Sequence, residues 1–296
     1  MKYKKLIFIA LAVAALVALS IWYLHDKPFA LFESRGVIAH EERKLMVFTL
    51  ALSLVVVIPV FALLIGIVWR YRDTNQKKAR YDPTWDHNRM AETIWWLIPT
   101  AIITVLAIVT WQSTHQLDPY RPIASTVKPV KVQVVALDWK WLFIYPDERI
   151  ATVNFVQLPV NTPVDFEITS AGPMNSFWIP QLAGQIYAMS GMSSQLHVMA
   201  DQTGDYRGSS ANLSGKGFAG MTFITRVSST SEYYDWVQSA KTIESELNQG
   251  SYDALALPSQ NNPETLYGYV EQNLYDTIVM KDMGSTHTTH QHGADE

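Results

Sequence analysis

The stretch Gly204-Asp205-Tyr206-Arg207-Gly208-Ser209-Ser210-Ala211-Asn212-Leu213-Ser214-Gly215-Lys216-Gly217-Phe218-Ala219-Gly220-Met221 is rich in glycine, serine and other small residues, and it leads into the apolar run Met221 to Val227. The composition marks a loop, and the run after it marks a strand. Period-two alternation is clearest upstream, where Val130, Val132 and Val134 share one side and Lys131 and Gln133 the other. Short runs of the same kind lie at Thr152 to Val156, Val164 to Thr169 and Leu196 to Ala200, separated by Pro, Gly, Asn and Ser turns. Short strands at such spacing, with no helices between them, predict an antiparallel β-sandwich with the quoted loop between two of its strands.

The chain has 296 residues, of which 48% are hydrophobic, high enough to place part of it in lipid. It has no cysteine. That excludes disulfides, thiolate metal sites, a cysteine nucleophile and a lipid-modified N-terminal cysteine. Residues 1–111 carry 13 Lys and Arg against 8 Asp and Glu, while residues 112–296 carry 10 against 19. No basic patch suggests nucleic acid, and the positive half contains the apolar spans, so its charge reads as a topology signal.

Leu6 to Leu24 is apolar behind the basic start Met1-Lys2-Tyr3-Lys4-Lys5, and residues 1–24 read as a signal peptide or a retained anchor. Within residues 25–111, a second span covers about 45–69 and a third about 91–111, forming a helical hairpin. Between them Arg70, Arg72, Lys77, Lys78, Arg80 and Arg89 make a basic loop, which the positive-inside rule places in the cytoplasm. Residues 112–296 then lie outside. Pro59 and Pro99 fall inside the spans, where neighbouring groups must satisfy the freed carbonyls. Glu92 stands at the edge of the third span, and by itself reads as a first-turn helix acid favoured by the macrodipole.

Beyond Val227, Ser231 with Glu232 predicts a helix start, and Tyr233, Trp236, Val237, Ala240 and Leu247 recur at nearly helical spacing. Pro263-Glu264 predicts a second helix carrying Leu266, Tyr267, Tyr269, Val270, Leu274 and Tyr275. Residues 229–280 thus form a helical, aromatic-rich extension. The tail 281–296, with His287, His290 and His292 among Gly, Ser, Thr and charged residues, reads as disordered. His197 reads as a strand histidine, and Met174, Met189, Met192 and Met199 as core or interface fillers.

The quoted loop resembles that of oxidase second subunits, where the dinuclear Cu-A centre is held by Cys, three residues, Cys, three residues, His, two residues, Met, with a Glu midway between the cysteines. Here those positions are Ser210, Ser214, Phe218 and Met221, with Asn212 at the Glu, and the upstream His position is Asn175. Hydroxyls stay protonated near neutral pH, phenylalanine donates nothing, and one thioether cannot hold copper alone. The chain is therefore similar to the second subunits of haem-copper quinol oxidases, the bo-type ubiquinol oxidases in particular, from about residue 30 to about residue 280. The aromatic-rich extension, typical of quinol oxidases, agrees. The family's usual lipoprotein cysteine near the N-terminus is absent here.

The resemblance implies a membrane-anchored α+β chain, with the transmembrane hairpin followed by a cupredoxin-like sandwich at 125–228 that lacks Cu-A. It implies a non-catalytic subunit of a proton-translocating, respiratory quinol oxidase in the bacterial inner membrane, multi-pass, with its C-terminal domain on the periplasmic face. No cofactor is expected in this chain, and haems and copper are expected in subunit I. Expected partners are subunit I, further small oxidase subunits, membrane lipid and, for the complex, quinol rather than cytochrome c. Glu92, in Glu92-Thr93-Ile94-Trp95, resembles the glutamate at the cytoplasmic mouth of a proton pathway. Trp139 and Trp141 occupy the aromatic segment beneath the metal in copper-bearing relatives and read here as interface aromatics. The alternative is a membrane-anchored cupredoxin-like binding or copper-handling module independent of any oxidase.

Overall fold

The computed structural model describes residues 32–72 and 86–289, with isolated positions before residue 32. The first apolar run is not described continuously, and the middle of the basic loop, with Lys77, Lys78 and Arg80, lies outside the described residues. Helix α1 spans Val37–Arg70 and α2 spans Arg89–Gln116, with Pro59 and Pro99 inside them. At about 1.5 Å per residue, both exceed the ~30 Å hydrocarbon core of a bilayer. Consecutive residues Val55, Val56, Val57 and Ile58 point to different sides of α1, and all are exposed. No other described residue covers any side of this stretch, the exposure expected of a helix set in lipid or against partner helices. Within these helices the hydroxyls of Ser53, Thr93, Thr100 and Thr104 donate to carbonyls four residues back, which pairs these donors inside the apolar surroundings.

Two sheets form the sandwich. Strands β1 (Val130–Leu137), β2 (Lys140–Tyr145), β3 (Ile150–Val153), β5 (Val164–Ser170), β8 (Ser194–Val198) and β12 (Thr265–Tyr267) make one, in the order β12-β3-β2-β1-β5-β8. The other, in the order β4-β10-β9-β6-β7, contains β4 (Phe155–Pro159), β6 (Asn175–Trp178), β7 (Ile186–Ala188), β9 (Gly204–Ser210) and β10 (Thr222–Ser228). Pairing is mostly antiparallel. The β1–β5 and β4–β10 pairs are parallel, joined through crossovers between the sheets.

The run Thr152 to Val156 divides at Asn154, whose φ of 55° turns the chain from one sheet to the other. Asparagine tolerates this left-handed backbone better than most residues. Its side chain also accepts from Trp141 N–H at 2.9 Å and donates to the Asn262 carbonyl at 2.9 Å, fixing the pivot.

An aromatic cluster fills the space between the sheets. Phe177 and Phe223 stack at 5.2 Å, while Trp141, Phe143 and Phe166 meet this pair at tilted or edge-on angles. The far end of β1 is buried on both faces, because Val135, Leu137, Leu142 and Ile144 pack under Leu247, Tyr252, Val270, Leu274 and Tyr275 of the C-terminal extension. The inward–outward alternation seen at Lys131 and Gln133 therefore stops midway along the strand.

That extension departs from the helical reading. Helix α3 (Thr230–Lys241) is capped by Ser229 rather than Ser231, with Glu232 completing a capping box. Leu247 lies in β11 (Glu246–Leu247), which pairs with β13 (Tyr269–Val270), and α4 (Gln249–Ala256) follows β11. Pro263-Glu264 does not open a helix. Thr265–Tyr267 instead extends the first sheet by pairing with β3, where tertiary pairing outweighs the helical spacing of its apolar residues. Helix α5 begins only at Leu274 and runs to Thr289, into the stretch expected to be disordered. Residues 290–296, with His290 and His292, lie outside the described residues.

Lys140 fastens the extension to β2. It is 1% exposed, and its ammonium donates to the Leu257 carbonyl at 2.8 Å and to Ser259 Oγ at 2.5 Å. Burial holds its pKa below that of a free lysine, and Asp138 partly restores it. Between that lowered value and the unfolded value of about 10.4, the unfolded chain binds more protons, so this group makes stability rise with pH across the window. Lys140→Met should flatten that alkaline limb in melts of the detergent-solubilised chain. Phe177→Ala, which opens the aromatic cluster, should cost about 3–5 kcal/mol in the same assay; a loss under 1 kcal/mol would show the cluster is not the core.

Candidate functional site

The loop after β9 is closed by hydrogen bonds among side chains at the positions that the sequence resemblance aligns with copper ligands. Ser210 Oγ donates to Asn175 Oδ1 at 3.0 Å, and Asn175 Nδ2 donates to the Pro173 carbonyl at 2.9 Å. Asn212 Nδ2 donates to the Met174 carbonyl at 2.8 Å, which ties the loop to the start of β6. Asn175 and Ser210 are both buried, and Met221 is 1% exposed behind them. Phe218 starts a single 3-10 turn, Phe218–Gly220, and is half-buried. Ser214 Oγ is buried without a hydrogen-bond partner among the described residues. An amide, hydroxyls and one thioether are a poor match to a mixed-valence copper pair, which needs bridging thiolates and terminal imidazoles. Among the described residues, no three His, Cys, Asp or Glu side chains converge.

Trp139 props the same loop. Its backbone has φ 61°, and its indole Nε1–H donates to the Ser214 carbonyl at 3.1 Å. A Cβ on Gly217 would sit 2.3 Å from Trp139 Cγ, so only glycine fits under the ring. Trp139 is half-buried, whereas Trp141 is fully buried inside the aromatic cluster. Trp141 is therefore a core residue and not an interface aromatic. Strand alternation puts it on the inner face of β2, opposite Phe177 and Phe223.

Glu92 lies in the first turn of α2. Asn88 caps this turn by accepting from Ala91 N–H, and Asn88 N–H donates to Glu92 Oε1 at 3.1 Å. The carboxylate opens onto a surface groove of about 580 Å³, whose other lining residues are Arg89, Thr93, Trp96, Leu97 and Thr100. At helical spacing these positions form one stripe on an otherwise apolar helix.

A second polar cluster was not singled out in the sequence. Ser34 Oγ and His40 Nδ1 are 2.6 Å apart, and His40 Nε2 is 2.6 Å from Asp201 Oδ2, which ties the head of α1 to the sandwich. His197 Nδ1 likewise lies 2.6 Å from Asp165 Oδ1 on the neighbouring strand. The charged run His40-Glu41-Glu42 at the head of an apolar helix was the available signal.

Three family models match successive parts of the chain: the transmembrane domain of cytochrome c oxidase subunit II at residues 25–112, its periplasmic domain at 145–228, and the COX aromatic rich motif at 241–285. They define a second subunit of the oxidase class, with a cupredoxin-like outer domain. Cytochrome bo(3) ubiquinol oxidase subunit 2 of Pseudomonas aeruginosa is 47% identical over 85% of this chain and 76% of its own. Ubiquinol oxidase subunit 2 of Acetobacter aceti is 45% identical over 84% and 81%, and quinol oxidase subunit 2 of Bacillus cereus 36% over 79% and 80%. The chain belongs to the quinol oxidase subunit 2 family, with its bo(3)-type ubiquinol oxidase members among the relatives.

Ser210→Ala removes one donor and leaves Asn175 Oδ1 buried without it. A stability loss of about 1–3 kcal/mol is expected, with oxygen uptake by the complex unchanged. A loss of activity at wild-type stability would instead give this loop a part in electron transfer.

Proposed function

We propose that this chain is the non-catalytic subunit II of a proton-translocating terminal quinol oxidase. The observation that carries the reading is the hydrogen-bonded set Asn175, Ser210 and Asn212 at positions where copper-bearing relatives place or surround ligands. Quinol is lipid-soluble and delivers electrons within the membrane, so an external acceptor site for a soluble cytochrome becomes dispensable. Haems, the copper of the oxygen site and the quinol belong to subunit I in this scheme. The hairpin of 25–111 docks on subunit I in the bacterial inner membrane, with lipid and further small subunits on its other sides. The sandwich of 125–228 covers the periplasmic face of subunit I, and the extension of 229–280 braces it.

Glu92 stands at the cytoplasmic mouth of a proton pathway in this scheme. Its support is a carboxylate at the end of an apolar helix, opening onto a groove that it shares with Arg89, Thr93 and Thr100. Ionisable groups at membrane helix ends that face a partner or water commonly mark ion paths.

Oxygen uptake by the purified complex should run on ubiquinol and not on reduced cytochrome c; equal rates with both donors would refute the reading. Glu92→Ala should lower quinol-driven turnover roughly tenfold, equivalent to about 1.4 kcal/mol in the barrier, with the complex still assembled. Wild-type turnover in that variant would remove Glu92 from the pathway.

A further inference from the structure

A cavity of about 360 Å³ lies where the outer ends of both membrane helices meet the sandwich. Glu42 of α1, Asp118 and Arg121 of the connector after α2, and His197 of β8 bring four ionisable side chains to its wall. Glu42 is half-buried and accepts from the Gly184 N–H. A Cβ on Gly184 would lie 2.5 Å from Glu42 Oε1, so the close approach of carboxylate and backbone requires glycine. His197 is 8% exposed. With its Nδ1–H donated to Asp165, Nε2 carries the free lone pair, and Nε2 is buried with no hydrogen-bond partner among the described residues.

The remaining charges at the wall are held in place. Asp118 Oδ1 accepts from Tyr120 N–H at 3.0 Å, and Arg121 Nη1 donates to the His115 carbonyl at 3.2 Å. Glu42 and His197 thus bring a carboxylate from a membrane helix and an imidazole from the outer domain to one cavity of mixed polar and apolar lining, roomy enough for several waters.

We propose that this cavity is a proton-exchange site at the outer end of the hairpin, where Glu42 and His197 take up protons released on the membrane side and pass them to the outer aqueous phase. The inference rests on the quinol oxidase reading, because oxidation of each quinol removes two electrons and breaks two O–H bonds, freeing two protons. In the step assigned here, a hydronium in the cavity gives its proton to the Glu42 carboxylate or to His197 Nε2, forming an O–H or N–H bond. That bond then breaks to an outer water. No electron moves.

The test uses the whole complex reconstituted in liposomes, with a pH-sensitive dye on the outer face of the protein and quinol oxidation triggered by an oxygen pulse. In Glu42→Gln, which keeps an acceptor for Gly184 N–H, proton appearance outside should slow about tenfold relative to quinol oxidation in uncoupled vesicles. Glu42→Asp should restore it, a rescue that a purely packing role would not give. The pH profile of the release rate should also lose its acidic limb in Glu42→Gln. If Glu42→Gln does not assemble, His197→Gln decides, with slowed release expected. Release at the wild-type rate and pH profile in assembled Glu42→Gln, or at the wild-type rate in His197→Gln, overturns the proposal. A wild-type complex that does not oxidise quinol overturns instead the reading beneath it.

Discussion

The arrangement depends on how the first membrane helix is joined to the outer domain. Before α1 has completed a turn, its chain is already part of the sandwich: Arg35 N–H donates to the Gln181 carbonyl, Val37 N–H to Met199, Ala39 N–H to Leu182, and Asp201 N–H to the Arg35 carbonyl. Gly36 bridges to Ala200, and a Cβ there would fall 2.5 Å from the Leu182 oxygen. Helix donors that would otherwise be orphaned at the start of α1 are therefore satisfied by the domain. The Ser34–His40–Asp201 chain adds side-chain ties at the same place. A helix joined in this way cannot swing freely, so the sandwich is held against the membrane surface instead of hanging from a flexible linker.

The same logic explains how the domain keeps its shape with weak ligands at the positions aligned with the copper ligands of relatives. In a copper-bearing loop the metal cross-links the segment before β6 to the loop after β9. Here Ser210, Asn175 and Asn212 make that cross-link with hydrogen bonds, and Trp139 supports the loop from below through Gly215 and Gly217. Each bond is worth about 1 kcal/mol net, but leaving a buried amide unpaired would cost more, so the set holds together as a unit. A loop closed by neutral hydrogen bonds holds its shape without a metal.

Most of the architecture was legible in the sequence, because apolar period and turn chemistry report it directly. Val130, Val132 and Val134 marked β1, and the apolar spans marked α1 and α2. The misreadings arose where a residue's fate is set by distant partners. Trp141 looked like a surface aromatic because nothing local reports that Phe177 and Phe223 lie opposite it. Thr265–Tyr267 sits in a segment of helical spacing, yet an open edge at β3, far away in sequence, captures it as a strand. His40 and His197 carried little local signal, since their meaning comes from Asp201 and Asp165, 161 and 32 residues away.

The most direct measurement of the central claim is to pull the tagged chain from membranes in mild detergent and record a redox difference spectrum of what comes with it. The account predicts haem bands from a co-purifying subunit I, with no Cu-A signal from the outer domain. A colourless chain purified without a haem protein would contradict it.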